Sequence, residues 1–345
     1  MGGTFLRDLC DWYPHQSICC VAIGPPSVRS EDPSLDWLPV LYLETPRVQG
    51  FGRGGPLLNH LSGLLFRTHT NLRRVPAIVD RAVRFGREQP VSLVWAVLNT
   101  PTVIRCARAV ALALDVPMVT TVWDPPERLI HEAGFDRLSR VSVLREFGKA
   151  LRQSARCGVA SDPMAEDYKE RYDVTPVVLI HGLHSRHWRT PARVPSRNGQ
   201  LVIGFAGSLY ATDTWDALLA ALGQAGWEID GRSVRIRVLG KQMSFSLEEQ
   251  AHIDYMGWKS LDETVEALSD VDISYLPYWF DESHSLSVRL CFPNKLSAYL
   301  AAGRPVFFMV PGTLPPAASF SSRSLLPFAG EGRDPERSQD GRERA

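Results

Sequence analysis

The sequence lacks an excess of charge of either sign, since 38 lysines and arginines balance 38 aspartates and glutamates. An even balance gives no electrostatic reason to expect nucleic acid or an anionic membrane as a partner. The chain also lacks a charged start followed by an apolar segment, and no apolar run approaches the roughly 20 residues that span a bilayer. We therefore expect no nucleic acid as a partner, and only a peripheral association with a membrane stays open.

Paired cysteines and several well-known catalytic motifs are missing as well. The six cysteines form no CxxC pair and no regular framework, which favours a reducing cytoplasm over an oxidising compartment. No Walker loop, HExxH or GxSxG occurs, so the sequence gives no support to an NTPase, a zincin or an α/β-hydrolase.

Short apolar runs alternate along the chain with segments whose apolar residues have the spacing of a helix. This alternation is typical of βαβ units and predicts parallel sheets covered by helices on both faces. The predicted strands are 18–24, 91–98, 117–124, 158–161 and 176–180, followed by 201–207, 234–240, 252–257, 272–278 and 306–310. With 345 residues, about twice the usual domain length, the chain is predicted to form two doubly wound domains.

The predicted domain boundaries lie where this alternation of strand and helix patterns is interrupted. The assignment is an N-terminal Rossmann-like domain over 1–185, a polar linker over 186–200, a C-terminal Rossmann-like domain over 201–312 and a disordered tail over 313–345. Both ends of the predicted fold look incomplete, because no predicted strand precedes Gly2 and Gly3, and the tail shows almost no hydrophobic periodicity.

The stretch FPNKLSAYLAAGRPV, residues 292–306, predicts a short helix that feeds a buried strand. Pro293 suits the first turn of a helix, and Gly303 suits its end. Leu296, Tyr299 and Leu300 recur at the spacing of one buried face. A helix start that carries Asn294 and Lys295 would suit a phosphate.

Two such domains, with GFAGSLYATDTWDALLAAL opening the second and FPNKLSAYLAAGRPV near its end, resemble the GT-B glycosyltransferases, specifically glycosyltransferase family 4. VWDPPE, ASDPMAEDY and LIHGLH in the first domain match weaker patterns of that family. The resemblance implies two Rossmann-like domains that face each other across a cleft. The second domain would hold most of a nucleotide-sugar donor, and the first would hold most of the acceptor.

The resemblance also implies which residues contact the donor, and none of them is assigned as catalytic. The donor diphosphate would be bound by residues of three segments: Gly2 and Gly3; Gly207 and Ser208; Pro293, Asn294 and Lys295. A glycine at 207 allows close approach of the backbone to a phosphate, and Ser208 adds a hydrogen-bond donor. Taken alone, Lys295 would be read as a solvated helix charge.

Several positions depart from the family pattern. The two glutamates that family members carry in this region fall on Leu290 and Ala298, and the customary basic pair falls on Ser208 and about Asp213. A leaving diphosphate needs its developing charge stabilised. Lys241 and Arg289, together with Lys295, are therefore the candidate replacements.

Other conspicuous residues have two interpretations each. Asp124 follows a predicted strand and is either a helix N-cap or an acceptor-side residue. Trp123, Tyr278 and Trp279 could stack on a base or sugar, although large aromatics beside strands usually belong to the core. His181, His184 and His187 form HxxHxxH, which we interpret as a polar loop rather than a zinc site.

The sequence therefore predicts a cytoplasmic glycosyltransferase, as in polysaccharide biosynthesis. It would transfer a hexose from a nucleoside-diphosphate sugar to a glycan or lipid-linked acceptor, with no metal and no other cofactor. Retention of configuration is implied by the resemblance alone. Two alternatives stay open: a non-catalytic nucleotide-sugar-binding or scaffold protein, and a GT-B-fold epimerase of sugar nucleotides.

Overall fold

A computed structural model describes residues 13–14, 17–25, 36–45, 70–132, 135–180, 182–183, 185–190, 199–240, 245–280 and 284–309, all within one compact unit. The predictions for Gly2, Gly3, Lys241, the tail over 313–345 and most of the linker fall outside the described residues. Below, the N-terminal half means described residues up to 180, and the C-terminal half means those from 199 onward.

The N-terminal half contains two parallel sheets. Its strands are β1 (Cys20–Gly24), β2 (Val40–Glu44), β3 (Val94–Val97), β4 (Met118–Val122), β5 (Arg156–Val159) and β6 (Val177–Val178). Its helices are α1 (Val75–Arg87), α2 (Pro101–Leu114), α3 (Pro126–Glu132), α4 (Arg137–Gln153) and α5 (Asp162–Tyr172). Strands β1 and β2 pair only with each other, whereas β3-β4-β5-β6 form a four-stranded sheet.

Local sequence explains why these helices begin where they do. Thr100 accepts a hydrogen bond from the N–H of Val103 at the start of α2, and Pro101 fills the first helical position. Ser161 caps α5 in the same way through the N–H of Met164. Both caps lie at the carboxyl ends of strands, so the turns that follow the strands are fixed.

The C-terminal half is built around one larger sheet. Its strands are β7 (Gln200–Ala206), β8 (Glu228–Ile229), β9 (Arg232–Leu239), β10 (Ile253–Gly257), β11 (Ile273–Pro277) and β12 (Val306–Met309). Its helices are α6 (Thr212–Gln224), α7 (Leu247–Gln250), α8 (Leu261–Ser269), α9 (Ser285–Leu290) and α10 (Lys295–Ala301). Strands β10-β9-β7-β11-β12 are parallel neighbours in that order, and β8 adds an antiparallel edge to β9.

The strand order reverses between β7 and β11. From β7 the chain moves outward through β9 to β10, and helix α8 then carries it to β11 and β12 on the other side of β7. Apolar clusters cover the sheet, one around Trp215 and Tyr275 and another around Leu239 and Tyr299. In such open sheets, ligands bind outside the carboxyl ends of the strands where the order reverses.

The prediction of parallel α/β sheets is confirmed, with differences in detail. Strand β2 was not predicted, and β6 is shorter than the predicted run over 176–180. The helix predicted from Pro293 begins at Lys295, and Leu300, predicted to be buried, is 45% exposed. Within the described residues, no helix combines the length and the apolar character that crossing a membrane requires.

Candidate functional site

Three neighbouring strands of the C-terminal sheet lead into glycines with positive φ. Gly207 after β7 has φ +92°, Gly240 after β9 has φ +142°, and Gly257 at the end of β10 has φ +74°. A Cβ atom on Gly240 would lie 2.5 Å from the carbonyl oxygen of Gly207. The loops after β7 and β9 therefore touch through their backbones, and neither Gly207 nor Gly240 places a side chain at this edge of the sheet.

Strands β7 and β11 separate toward this same edge. Strand β7 pairs with β9 along its whole length, but its pairing with β11 involves only Ile203 and Gly204. Beyond that point the N–H of Ala206 donates to the hydroxyl of Tyr299, with 3.0 Å between nitrogen and oxygen. The fully buried ring of Tyr299 thus takes the place of the missing strand contact at the reversal of strand order. This gap in the pairing of β7 and β11 is called the crevice below.

Lys295 lies in this crevice, one turn before Tyr299 on α10. Its side chain is only 4% exposed, and its Nζ donates to the carbonyl oxygen of Ser208 at 2.5 Å. The same Nζ lies 4.0 Å from the ring centre of Phe205 and 4.7 Å from that of Tyr210. Burial lowers the pKa of Lys295 to about 7. The interpretation of Lys295 as a solvated charge is therefore wrong.

The structure thus brings three predicted donor-site residues together, namely Gly207, Ser208 and Lys295. Gly207 is buried and Ser208 is exposed in the loop that Lys295 contacts. Pro293 is buried and accepts from the N–H of Leu296, while Asn294 is exposed at the start of α10.

Arg289 lies elsewhere. Its Nη2 is 3.4 Å from a carboxylate oxygen of Asp167 on α5, and its side chain is 57% exposed. Asp167 also binds Arg171. Arg289 is therefore part of an ion-pair group that joins the two halves.

Asp124 also joins the two halves. Its Oδ1 accepts from Nη1 of Arg128 at 2.8 Å and from Sγ of Cys291 at 3.4 Å. Ser161 makes a parallel contact, because its hydroxyl donates to the carbonyl oxygen of Leu290 at 2.6 Å. The carboxyl ends of β4 and β5 therefore hold the segment that leads into Lys295, a role for Asp124 that sequence reasoning missed.

A cluster of aromatic rings lies beside Lys295. The ring centres of Tyr210 and Trp279 are 4.6 Å apart, and the indole Nε1 of Trp279 donates to the carbonyl oxygen of Tyr210 at 3.0 Å. The guanidinium of Arg128 lies 5.2 Å from the ring centre of Trp279. Tyr278 and Trp279 are 3% and 8% exposed, which agrees with a core position.

His187 makes two polar contacts. It is 3% exposed, its Nδ1 lies 2.7 Å from Oδ1 of Asp262, and its Nε2 accepts from Nε of Arg186. These contacts anchor the short turn Ser185–His187 to α8. His181 and His184 fall outside the described residues, and the described part of the chain contains no group of three or more potential metal ligands.

Comparison with solved structures shows the fold. Over 90% of this chain and 75% of the other, the structure is similar to sucrose-phosphate synthase from Thermosynechococcus elongatus, with a TM-score of 0.55 and 12% identity. It is also similar to the UDP-forming α,α-trehalose-phosphate synthase from Burkholderia xenovorans, covering 89% and 81% of the two chains, with a TM-score of 0.54 and 11% identity.

A third similar structure is α,α-trehalose 6-phosphate synthase from Burkholderia multivorans. There the match covers 84% of this chain and 76% of the other, with a TM-score of 0.51 and 15% identity. No protein-family model matches the chain, and no curated protein matches it in sequence. The predicted architecture is nevertheless confirmed: the chain has the GT-B fold of glycosyltransferases.

Proposed function

We propose that this protein is a glycosyltransferase of the family 4 type. It transfers a hexose from a nucleoside-diphosphate sugar to a glycan or lipid-linked acceptor in the cytoplasm, with retention of configuration. The observation that carries the proposal is the buried Lys295 in the crevice between β7 and β11, in contact with the glycine loop of β7.

The chemistry of the crevice suits a diphosphate. Burial makes the positive charge of Lys295 costly, and the charge is stabilised when an anion enters beside it. Gly207 and Gly240 place no Cβ atom at this edge, so phosphate oxygens can approach the backbone closely. Gly207, Ser208, Asn294 and Lys295 would then stabilise the negative charge that develops on the leaving diphosphate.

The similar structures and the cysteines give further support. One similar structure is described as UDP-forming, and it is a complex with glucose-6-phosphate. That description fits a nucleotide donor and a sugar acceptor for this chain too. Cys19, Cys106, Cys157 and Cys291 form no disulfide, which is usual in a reducing compartment.

One observation favours a second candidate, a non-catalytic protein that binds nucleotide sugars. Leu290 and Ala298 replace the glutamates of the family pattern, and Leu290 is fully buried, so no carboxylate stands at either position. Such a protein would bind the donor through the same crevice without transferring the sugar.

The test is a thermal-shift screen of UDP, GDP, ADP and TDP, followed by assays with the matching sugar nucleotides. A specific diphosphate should stabilise the protein by RT ln(1 + [L]/Kd), and Lys295→Met should abolish the shift. Lys149→Met is the control, because Lys149 pairs with Glu146 on α4 of the N-terminal half.

The outcomes separate the candidates. Sugar transfer to an acceptor supports the transferase, and binding without turnover supports the second candidate. Turnover of the sugar nucleotide without an acceptor would indicate an epimerase. Absence of any shift with all four diphosphates would contradict the proposal.

A further inference from the structure

Lys295 alone supplies too little positive charge for a diphosphate. A nucleoside diphosphate carries more than one negative charge, and its departure needs cations or donors placed where that charge develops. Among the residues predicted to replace the missing basic pair, Arg289 binds Asp167 instead. A diphosphate in the crevice would therefore need a second cation beside Lys295.

Arg128 is in position to be that cation, although it belongs to the other half of the chain. It lies on α3, just after the carboxyl end of β4. Its guanidinium nonetheless packs over Trp279, which follows β11 in the C-terminal half. Trp279 in turn donates to the carbonyl oxygen of Tyr210, in the loop that carries Gly207 and Ser208.

The two cations flank one pair of aromatic rings. Nζ of Lys295 lies 4.7 Å from the ring centre of Tyr210, and Cζ of Arg128 lies 5.2 Å from that of Trp279. The two rings are themselves 4.6 Å apart. Both cations therefore contact the aromatic pair formed by the segments after β7 and β11, one from each half of the chain.

Asp124 holds this arrangement in place. Its carboxylate accepts from Arg128 and from Cys291, and Cys291 lies four residues before Lys295. A long arginine side chain loses much conformational freedom when it is fixed, so an ion pair at 2.8 Å orients the guanidinium before any ligand arrives. Asp124 is thus a positioning residue for Arg128.

We propose that Arg128, from the N-terminal half, binds the diphosphate of the nucleotide donor together with Lys295. This inference rests on the proposed function and adds a binding residue from the N-terminal half. The planar guanidinium fork can donate two parallel hydrogen bonds to phosphate oxygens, which the ammonium of a lysine cannot do.

The experiment compares Arg128→Met and Arg128→Lys with the wild-type protein. Calorimetry measures the dissociation constants of the nucleoside diphosphate selected from UDP, GDP, ADP and TDP, and of its nucleoside monophosphate. We expect Arg128→Met to weaken diphosphate binding about 10- to 100-fold, and Arg128→Lys to weaken it less. Lys149→Met is the control, because Lys149 pairs with Glu146 on α4, and it should leave binding unchanged.

Each other result has a defined meaning. Diphosphate affinity that is unchanged in a folded Arg128→Met overturns the inference while the proposed function stands. Loss of sugar transfer with unchanged nucleotide affinity also overturns it, because Arg128 would then act in transfer without binding the diphosphate. If Arg128→Met does not fold, as judged by circular dichroism, the diphosphate affinity of Arg128→Lys is measured instead. An affinity equal to that of the wild-type protein then overturns the inference. A wild-type protein that binds none of the diphosphates overturns the proposed function and this inference together.

Discussion

Nζ of Lys295 lies 2.5 Å from the carbonyl oxygen of Ser208, beneath the rings of Phe205 and Tyr210. The lysine thereby ties helix α10 to the loop of β7, but its burial lowers its pKa from 10.5 to about 7. In the unfolded chain the pKa returns to its ordinary value. Between about pH 7 and pH 10.5 the unfolded state therefore binds more protons, and stability rises with pH over that interval.

Replacement of this lysine by methionine should stabilise the fold. Below about pH 7 the native protein bears the full cost of a buried charge, and Lys295→Met removes it. The free energy of unfolding should increase by on the order of 3 kcal/mol at pH 6 and by far less at pH 10. Urea unfolding at the two pH values measures the difference, with Lys149→Met as control. An equal increase in unfolding free energy at both pH values would show that the pKa of Lys295 is not lowered in the folded protein.

Nucleotide binding should be linked to proton uptake. An anion beside Lys295 raises its pKa, so a diphosphate that binds at pH 8 should bring up to one proton with it. Affinity should fall by up to about tenfold per pH unit above pH 7 until the raised pKa is reached. Calorimetry in two buffers of different ionisation enthalpy counts the protons. The uptake should vanish in Lys295→Met, and uptake that persists there would assign the proton to another group.

Loss of the Tyr299 hydroxyl should destabilise the crevice. Tyr299→Phe leaves the buried N–H of Ala206 without its partner, which should cost about 1–3 kcal/mol of unfolding free energy. Tyr168→Phe is the matched control: Tyr168 is also fully buried, but its hydroxyl has no hydrogen-bond partner in the described part of the chain. That change should be neutral or stabilising. Chemical denaturation measures both variants. Equal loss of unfolding free energy in the two would show that the hydrogen bond from Ala206 to Tyr299 does not stabilise the fold.

The sequence predicts most of the elements that form the crevice but not their packing. The runs over 201–207 and 272–278 are continuous and apolar, so their strands could be predicted from local pattern alone. The burial of Lys295 could not, because it depends on the separation of β7 from β11 after Gly204, which is a tertiary feature. Arg128 was missed for a similar reason, since its ring partner Trp279 lies 151 residues further along the chain.

The contact between the loops of β7 and β9 gives the last prediction. An alanine at Gly240 must adopt φ +142°, which side chains rarely do, and its Cβ would meet the carbonyl oxygen of Gly207 at 2.5 Å. Gly226 also has positive φ, +64°, but a Cβ there meets nothing within 4 Å. Gly240→Ala should therefore cost about 3 kcal/mol of stability, and Gly226→Ala only about 1 kcal/mol.

The two glycine variants should also differ in nucleotide binding. In Gly240→Ala the backbone of Gly207 must move, so Ser208 leaves its position beside Lys295 and diphosphate affinity should fall. In Gly226→Ala the loop of β7 is untouched, and affinity should stay at the wild-type value. Denaturation and calorimetry on both variants measure these effects. If Gly240→Ala binds a diphosphate as tightly as the wild-type protein does, the close backbone contact between the two loops does not shape the donor site.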